Sequence, residues 1–237
     1  MAFRKKSKLI LEFAPDLAIV PESESPTKLK FPKLITEPRD KIWVGENSSK
    51  GLSIFSYSDL EITLHESYDP EYKYIVPIQV SGKEHFNLIA VWAMNDTEKR
   101  SQRYIGQAWL ALQRYEPLLG DSVLIAGDFN WNKVWDGSHN LAGNLTKLVK
   151  YLKTKGIKSL YHHYFQENFG QETQPTFYMY RKIEKPYHID YCFGSTDFVD
   201  RLQFVKVGKY KTWHEWSDHT PVFCSFSSRD INSQISL

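Results

Sequence analysis

The residues of this sequence best suited to chemistry follow short apolar runs. The run Leu124–Ala126 leads into Gly127, Asp128, Phe129 and Asn130. Asp128 and Asn130 are two positions apart, so in an extended segment their side chains point to the same side. A rigid strand that ends in such a pair can present it to a cleft. An ordinary Asx-turn at a strand end is an equally good interpretation of these residues taken alone.

Three other places carry comparable residues. His188 and Asp190 share one face at the start of an apolar run, where an exposed strand edge is the alternative interpretation. Asp218 and His219 precede the run VFCSF and point to opposite sides if extended, so one could face a metal and the other a substrate. Glu22 follows the run DLAIV, and alone it is weak evidence because a glutamate in a polar loop is usually solvated.

The elements that must position these residues are mostly short strands with helices between them. Apolar periodicity predicts helices over residues 3–13, 96–120 and 141–154. It predicts strands over residues 16–20, 42–44, 52–57, 72–80, 86–92, 123–126, 187–193, 202–207 and 221–226. This mixture is typical of two packed sheets with helices outside, and we expect one domain over residues 1–237 with a flexible tail from residue 227.

Composition limits the possible classes of protein. The chain has 237 residues, 41% of them hydrophobic, and a formal net charge of only +2, so any basic surface for nucleic acid must be local. Cys192 and Cys224 are too few for a disulfide framework, and we expect buried free thiols in a reducing interior. The first eight residues lack the apolar region of a signal peptide, and no run is long enough to span a membrane. The sequence therefore predicts a soluble cytoplasmic protein.

The four places together are more specific than any one of them. The order Glu, then Gly-Asp-x-Asn, then Asp-Tyr, then Ser-Asp-His resembles the endonuclease/exonuclease/phosphatase superfamily, and in particular its exonuclease III and deoxyribonuclease-like members. The similar segments are PDLAIVPE (15–22), GDFN (127–130), HIDYCFGS (188–195) and SDHTPV (217–222). They extend the resemblance over almost the whole chain.

The resemblance implies a fold and a set of roles. The fold would be a four-layered α/β sandwich, with two mixed β-sheets packed face to face, helices outside and the site at one end of the sheets. Glu22 and Asp218 would lie at a magnesium ion, which manganese could replace. Asp128 and Asn130 would orient the attacking water and contact the phosphate. His219 would contact the phosphate or act as the base, with Asp190 holding its ring.

These implied roles agree with the chemistry of phosphodiester hydrolysis. Mg²⁺ prefers carboxylate oxygens and keeps several waters for the substrate phosphate. Cleavage requires charge to be neutralised on the phosphate oxygens and a water to be placed in line with the leaving group. A carboxylate paired with a histidine fixes the ring tautomer and stabilises the imidazolium.

The sequence departs from the superfamily pattern at two places. Trp92 stands where abasic endonucleases carry a tyrosine, and an indole cannot act as a phenolic acid, so Trp92 could simply belong to the core. Asn95 could still contact the phosphate. The superfamily also opens with a strand that ends in Trp-Asn-x-Asn, whereas this sequence begins MAFRKK in the predicted helix. Loss of that strand would expose sheet edges, so we expect reduced stability or association through an exposed edge.

The residues around the motifs favour a nucleic acid substrate, with DNA as the expected partner. Aromatic and cationic side chains interleave there, and such mixtures stack on bases and neutralise phosphates, although core aromatics and solvated lysines would give the same pattern. They are Trp131, Trp135, Tyr178, Tyr180, Trp213 and Trp216 with Lys133, Arg181, Lys182, Lys185, Lys209 and Lys211. Two alternatives stay open: a phosphatase or phosphodiesterase for a small-molecule or lipid phosphate, and a catalytically impaired member of the superfamily.

Overall fold

The computed structural model describes residues 3–31 and 35–229 of the chain. Most of the tail predicted from residue 227 onward, residues 230–237, lies outside the described residues. Over the described ranges, no helix combines the length and the apolar character that crossing a bilayer requires.

A six-stranded sheet forms the centre of the molecule. Its strands lie in the order β4-β5-β6-β7-β11-β8. Their bounds are β4 Leu60–Leu64, β5 Ile75–Gly82, β6 Phe86–Trp92, β7 Val123–Asp128, β8 Lys158–Ser159 and β11 Asp190–Gly194. The pair β6–β7 is parallel and the other pairs are antiparallel. Strands β7 and β11 therefore lie side by side and bring Asp128 opposite Asp190.

Alternating side chains along these strands enter two different cores. In β6, Leu88 and Ala90 face one core and Ile89 and Val91 face the other. This period of two is what a sheet covered on both faces requires. Helices α2 Ile105–Arg114 and α3 Leu145–Thr154 cover the second face with apolar residues such as Leu112.

A second layer of strands covers the first face. It consists of a three-stranded sheet, in the order β1-β3-β2, and a two-stranded sheet of β12 and β13. The bounds are β1 Leu17–Ser23, β2 Asp40–Asn47, β3 Lys50–Ser56, β12 Leu202–Val207 and β13 Val222–Phe226. Helix α1, Phe3–Leu11, packs Phe3 against Val20 and Phe55 on the outer side of this layer. The result is helix, sheet, sheet and helix, which confirms the predicted α/β sandwich.

A groove separates the two parts of the second layer. It has a volume of about 730 Å³, and residues 17–22 of β1 and 222–226 of β13 form its sides. We call it the β1–β13 groove. Within residues 3–31 and 35–229, β1 pairs only with β3 and β13 pairs only with β12. Among the described residues, each side of the groove is therefore a strand edge without a neighbouring strand.

The remaining elements are short and surround the ends of the sheets. They are α4 Leu160–Phe165, β9 Phe177–Tyr178, β10 Pro186–Tyr187, α5 Thr196–Asp200 and α6 Tyr210–Trp213. Strands β9 and β10 form a small hairpin, and an isolated bridge joins Phe177 of β9 to His219.

Several predicted boundaries were wrong for local reasons. The helix predicted over 96–120 is confined to α2, because Asp96 accepts hydrogen bonds from the backbone N–H groups of Glu98 and Lys99 and so forms a turn instead. Tyr104, at φ 50°, breaks any continuation into α2. Helix α3 begins after Asn144, whose side chain accepts from the N–H of Lys147 and caps the helix.

Two strands also differ from their predictions. Strand β1 continues through Glu22 to Ser23, although proline at position 21 indicated a loop. Proline is tolerated there because a bulge interrupts the pairing between Val20 and Ser23. Strand β4 was missed, since its exposed residues Glu61 and Thr63 weaken its apolar signal.

Candidate active site

Strand β7 ends at the candidate site with its backbone pressed against β6. Gly127 has φ +139°, and a Cβ at this position would lie 2.0 Å from the carbonyl oxygen of Val91. Only glycine allows this approach. The adjacent Asp128 is held at the sheet end by the hydrogen bond from the N–H of Ala93 to its carbonyl oxygen, 2.8 Å long. The glycine in the motif thus sets the position of the carboxylate that follows it.

Asp128 and Asn130 are fixed to each other. Oδ1 of Asp128 accepts from the backbone N–H of Asn130 at 2.7 Å, which is the Asx-turn considered for this motif. Oδ2 accepts from Nδ2 of Asn130 at 2.9 Å, and the same amide nitrogen donates to the carbonyl of Ala93 at 2.9 Å. Asn130 adopts φ 49°, which asparagine tolerates better than most residues. The turn therefore orients both side chains.

Strand β11 brings the second carboxylate beside the first. Asp190 is the register partner of Asp128, and one of its carboxylate oxygens, Oδ2, lies 2.9 Å from Nδ1 of His219. The hydroxyl of Thr176 accepts from the N–H groups of both Ile189 and Asp190, each at 3.0 Å. The carboxylate–imidazole contact implied by the resemblance is present, whereas His188 is buried with its Nδ1 2.8 Å from the carbonyl oxygen of Gln174.

His219 is positioned by the segment around Thr176. Its neighbour Thr220 donates its backbone N–H to the carbonyl of Thr176 at 2.7 Å and its hydroxyl to the carbonyl of Pro175 at 3.1 Å. The imidazole also contacts the ring of Phe177, with 4.8 Å between the ring centroids. Three separate parts of the chain therefore converge on the pair formed by Asp190 and His219.

The electrostatics of these groups reflect crowding of negative charge. Burial and, to a smaller extent, the carboxylate of Asp190 raise the pKa of Asp128 to about 8, against the opposing effect of His219. Burial lowers the pKa of His219, but Asp190 and Asp128 together raise it to about 9. A positive charge is therefore favoured at this end of the sheet, and the imidazolium supplies one.

The donor set also suits a metal ion. One ligand atom from each of Asp128, Asp190 and His219 lies within 4.8 Å of the others. Two neighbouring carboxylates at the end of a sheet are the kind of site that a divalent cation stabilises. This group differs from Glu22 and Asp218, the metal ligands that the resemblance implies.

Glu22 and Asp218 lie on the two sides of the β1–β13 groove, at the end that also contains Asp128 and His219. Glu22 adopts φ 59°, and its Oε1 lies 2.8 Å from Nζ of Lys50. Burial raises the pKa of Glu22, but Lys50 contributes to lowering it to about 2. Asp218 is partly buried, and its backbone carbonyl accepts from the N–H of Tyr178 at 2.8 Å.

Two cations at this end were not anticipated from the sequence. Burial lowers the pKa of Lys6 on α1, whereas Glu22 and Asp218 raise it. Lys50 lies over the ring of Trp92, with its Nζ 5.3 Å from the ring centroid. In the sequence, only the position of Lys6 and Lys50 next to the motif strands could have indicated these two cations. Their ammonium groups place positive charge beside the acidic cluster.

The departures from the superfamily pattern have clear positions. Trp92 is 2% exposed and packs against Tyr74, so it belongs to the core. Asn95 lies beyond the end of β6 and is exposed.

Of the aromatic residues considered for a nucleic-acid face, Trp131, Tyr178 and Trp213 are buried. Tyr180 and Trp216 remain exposed, at 75% and 38%.

No protein-family model matches the chain, and no curated protein sequence matches it. Solved structures do match. The 3′ phosphatase NExo from Neisseria, bound to a product DNA hairpin, has a TM-score of 0.66 at 18% identity, over 95% of this chain and 95% of that one. An AP endonuclease from Archaeoglobus fulgidus has a TM-score of 0.66 at 16% identity, over 92% and 91%.

A third structure, the endonuclease domain of the telomere-specific non-LTR retrotransposon TRAS1, has a TM-score of 0.62 at 17% identity, over 96% of this chain and 93% of that one. The likeness covers nearly the whole of both chains in each comparison. The chain therefore has the fold of the endonuclease/exonuclease/phosphatase superfamily, as the order of its motifs predicted.

Proposed function

We infer that this chain is a magnesium-dependent phosphodiester hydrolase, a nuclease that acts on DNA. The observation that carries this inference is the pairing of Asp190 with His219 at 2.9 Å directly beside the buried carboxylate of Asp128. Proteins of the same fold include a 3′ phosphatase bound to a product DNA hairpin and an AP endonuclease. Their substrates support DNA as the substrate class of this chain.

His219 acts on the phosphate as a cation. A pKa of about 9 keeps its ring protonated at neutral pH, with Nδ1–H donating to Asp190. Its Nε2–H then donates to a phosphate oxygen and stabilises the charge that develops there. Of the two roles implied for His219, phosphate contact is therefore favoured over that of general base.

Asp128 orients the attacking water. The amide of Asn130 and its backbone N–H hold both carboxylate oxygens, yet each oxygen keeps a lone pair for a water molecule. The rigid strand end below Gly127 fixes the direction of that water relative to the phosphate held by His219. Positioning of this kind supplies a large part of the acceleration in phosphoryl transfer.

Carboxylates at the same end of the sheets would hold the metal. Glu22 and Asp218 are the ligands that the motif resemblance supplies, and the carboxylates of Asp128 and Asp190 lie close to them. When bound, Mg²⁺ neutralises charge on the non-bridging phosphate oxygens. Without the metal, the ammonium groups of Lys6 and Lys50 neutralise part of the negative charge of these carboxylates.

The hairpin of β9 and β10 contacts the nucleic acid. Tyr180 lies at its tip, 75% exposed, with Nζ of Lys185 5.5 Å from its ring centroid. Phe177 at the base of the hairpin touches His219, so the hairpin begins at the candidate site. An exposed aromatic ring beside a lysine can stack on a base while the lysine neutralises a phosphate.

The experiment that tests this function is hydrolysis of labelled oligonucleotides by the purified chain in Mg²⁺ or EDTA. The substrates are duplex, single-stranded, abasic and 3′-phosphorylated DNA. Asp128→Asn is compared with Asp121→Asn, the same chemical change at an exposed residue just before β7. We expect Mg²⁺-dependent cleavage that Asp128→Asn lowers by about 1000-fold and Asp121→Asn leaves unchanged.

Each substrate gives a distinct result. Release of phosphate from the 3′-phosphorylated strand alone would show monoester hydrolysis at 3′ ends and would contradict the phosphodiesterase proposal. Hydrolysis of small-molecule phosphodiesters with no cleavage of any DNA would contradict the DNA proposal. A folded chain that is inactive toward every substrate would favour an impaired site.

A further inference from the structure

A buried polar cluster adjoins the candidate site, and the hydrolysis inferred above does not use it. It consists of Asn132, which is 3% exposed, and the side chains of His162 and Glu172, which are 7% and 3% exposed. Burying a polar group is unfavourable unless the group has a hydrogen-bond partner. The partners of these three side chains therefore show which parts of the chain the cluster holds together.

Glu172 is the centre of the cluster. Its Oε1 accepts from the backbone N–H of Gly170 at 2.9 Å and lies 3.1 Å from Nε2 of His162. Its Oε2 accepts from Nδ2 of Asn132 at 3.3 Å. Burial raises the pKa of Glu172, but the hydrogen bonds of His162 and Gly170 outweigh burial and lower the pKa below its ordinary value. The carboxylate is therefore ionised at neutral pH and is a strong acceptor for the amide of Asn132.

Asn132 connects this carboxylate to the segment that leads into β11. Its Oδ1 accepts from the N–H of Val134 at 3.0 Å, so its amide nitrogen must point the other way. That nitrogen donates both to Glu172 and to the backbone carbonyl of His188, the second at 2.9 Å. The amide oxygen and both amide hydrogens therefore have partners, and the side chain has one favoured orientation.

The hydrogen bond from Asn132 to His188 lies beside both of the segments that carry catalytic groups. Asn132 follows Asn130 by two residues, and His188 precedes Asp190 by two residues. A change in this one contact therefore reaches both segments within two residues.

Side chains continue the connection between these segments that strand pairing begins. Next to the paired strands β7 and β11, the N–H of Phe129 donates to the carbonyl of Ile189 at 3.0 Å. At the following carbonyl, that of His188, the donors are the amide of Asn132 and the hydroxyl of Tyr191, the second at 2.8 Å. The separation of the two segments at this point is therefore set by side-chain hydrogen bonds.

Stability does not by itself explain a buried carboxylate and imidazole. Well-packed apolar side chains of similar volume are often at least as stabilising as a buried salt bridge. A hydrogen-bonded carboxylate, however, fixes the direction of the amide that donates to it, which apolar packing does not. The cluster is therefore suited to setting an orientation, and the group that it orients is the amide of Asn132.

We propose that Asn132 is a positioning residue for the hydrolysis inferred above. Through the carbonyl of His188 it fixes where Asp190, and the imidazole paired with it, lies relative to Asp128. The carboxylate of Glu172 holds the Asn132 amide in the orientation that this requires. The role depends on the proposed function, because it is a role in that reaction. A misplacement of reacting groups by about 1 Å can lower a rate about 100-fold.

The test compares Asn132→Leu with two control variants of the full chain. Leucine keeps the branched shape of asparagine but neither donates nor accepts hydrogen bonds. Asn140→Leu makes the same change at an exposed asparagine of the same segment. Leu148→Ala removes apolar contacts from the core beneath α3, and so it lowers stability without changing the cluster.

We expect Asn132→Leu to lower kcat at least about 30-fold and to change KM less than about threefold. The substrate is the DNA that the unchanged chain cleaves fastest, at a temperature where every variant is folded. Asn140→Leu and Leu148→Ala should keep kcat within about threefold of the unchanged chain. An unchanged kcat in Asn132→Leu, or an equal fall in Leu148→Ala, would overturn the proposal.

A second variant, Glu172→Gln, tests the same role even if Asn132→Leu does not fold. Glutamine has the shape of glutamate, but its amide nitrogen faces either the amide of Asn132 or the donors on the other side of the carboxylate. We expect kcat to fall about tenfold, because the Asn132 amide loses its fixed orientation. Glu98→Gln, at an exposed glutamate, is the matched control and should leave kcat unchanged. Equal kcat values for these two variants would contradict the role.

NMR spectroscopy of the His219 ring separates this role from the proposed function. The hydrogen bond to Asp190 influences the nitrogen chemical shift of Nδ1, and this signal requires no substrate. We expect Asn132→Leu to move the signal and Leu148→Ala to leave it in place. An unmoved signal in Asn132→Leu would overturn the positioning role even if the chain cleaves DNA. If the unchanged chain hydrolyses no phosphodiester, the proposed function is wrong, and the ring signal alone decides whether Asn132 positions the pair.

Discussion

The two halves of the candidate site are built in different ways. On one side, β7 and β11 are hydrogen-bonded neighbours, and Asp128, Asp190 and His219 lie within one connected network. On the other side, Glu22 lies on β1 and Asp218 in the segment before β13, with the β1–β13 groove between them. The first half is positioned by the main chain itself, whereas the second depends on how far apart two unconnected edges lie.

This difference shows which interactions fix the positions of the side chains in the site. The paired half has a glycine that permits close contact, an Asx-turn and a threonine hydroxyl that accepts two N–H groups. The groove half is held by ion pairs, such as that between Lys50 and Glu22 with side chains 51% and 43% exposed. Ion pairs at such exposure contribute little to stability. We therefore expect changes in the paired half to have the larger consequences.

The largest effect should come from Gly127→Ala. The new Cβ would lie 2.0 Å from the carbonyl oxygen of Val91 and force β6 and β7 apart. We expect a loss of at least about 3 kcal/mol in the free energy of unfolding, measured by denaturant titration. Gly137→Ala is the matched control, because Gly137 also has positive φ but no atom lies within 4 Å of its Cβ position. Equal losses for the two variants would mean that close contact with β6 does not fix the paired half.

The next effect should come from Asp190→Asn. Without the carboxylate, the pKa of His219 falls from about 9 toward its ordinary value, and the ring loses its fixed orientation. We expect DNA cleavage to fall by about 100-fold at neutral pH. NMR titration of the His219 ring provides the independent measurement. An unchanged pKa of His219 in the variant would show that the two side chains do not act together.

The paired half should also make the metal-free protein sensitive to alkaline pH. The folded pKa values of Asp128, about 8, and His219, about 9, both exceed those of the unfolded chain, so the folded state binds more protons than the unfolded state. Between pH 5 and pH 9, the free energy of unfolding is therefore greatest at pH 5 and falls as pH rises toward 9. We expect the free energy of unfolding to decrease by several kcal/mol between pH 5 and pH 9 in denaturant titrations.

Asp128→Asn provides the control for this pH dependence. An asparagine does not titrate, so the variant should show a shallower slope than the unchanged chain. A slope that is the same in both proteins would assign the pH dependence to other groups. Added Mg²⁺ should also reduce the slope, because a bound cation favours the ionised carboxylates.

The smallest effect should come from Lys50→Met in the groove half. Removing the ammonium group takes away one cation that competes with a metal for the carboxylate of Glu22, and it should increase affinity for Mn²⁺ a few-fold, measured by calorimetry. Lys73→Met is the matched control, since Lys73 pairs with Glu46, which is 71% exposed. A loss of metal affinity on Lys50→Met would indicate that Lys50 supports the metal site and does not compete with it.

The paired half was also the easier half to predict from sequence. Gly127, Asp128 and Asn130 are close in the chain, and the turn they form is decided by local geometry. The contact of Asp190 with His219 joins residues 29 positions apart and was reached through the motif resemblance. The pairing of Glu22 with Lys50 could not be found in the same way, because it depends on the bulge between Val20 and Ser23, which local sequence does not determine.

The same contrast holds for the fold. Strands with strong period-two patterns, such as β6 and β12, were predicted with their observed bounds. Strand β4 was missed because it is an edge strand, paired with β5 alone among the described residues, and exposes alternate polar residues. The helix over residues 96–120 was overextended, since a side chain of Asp96 decides the turn that replaces its first part.

Thr176 has a consequence for motion in the site. Its hydroxyl holds the start of β11 at Ile189 and Asp190, and its carbonyl holds Thr220 next to His219. Asp190 and His219 are therefore attached to one common residue in addition to each other. Thermal displacement of the segment around Thr176 should carry both side chains in the same direction and preserve the distance between them, so the acid–imidazole pair should fluctuate as one rigid body.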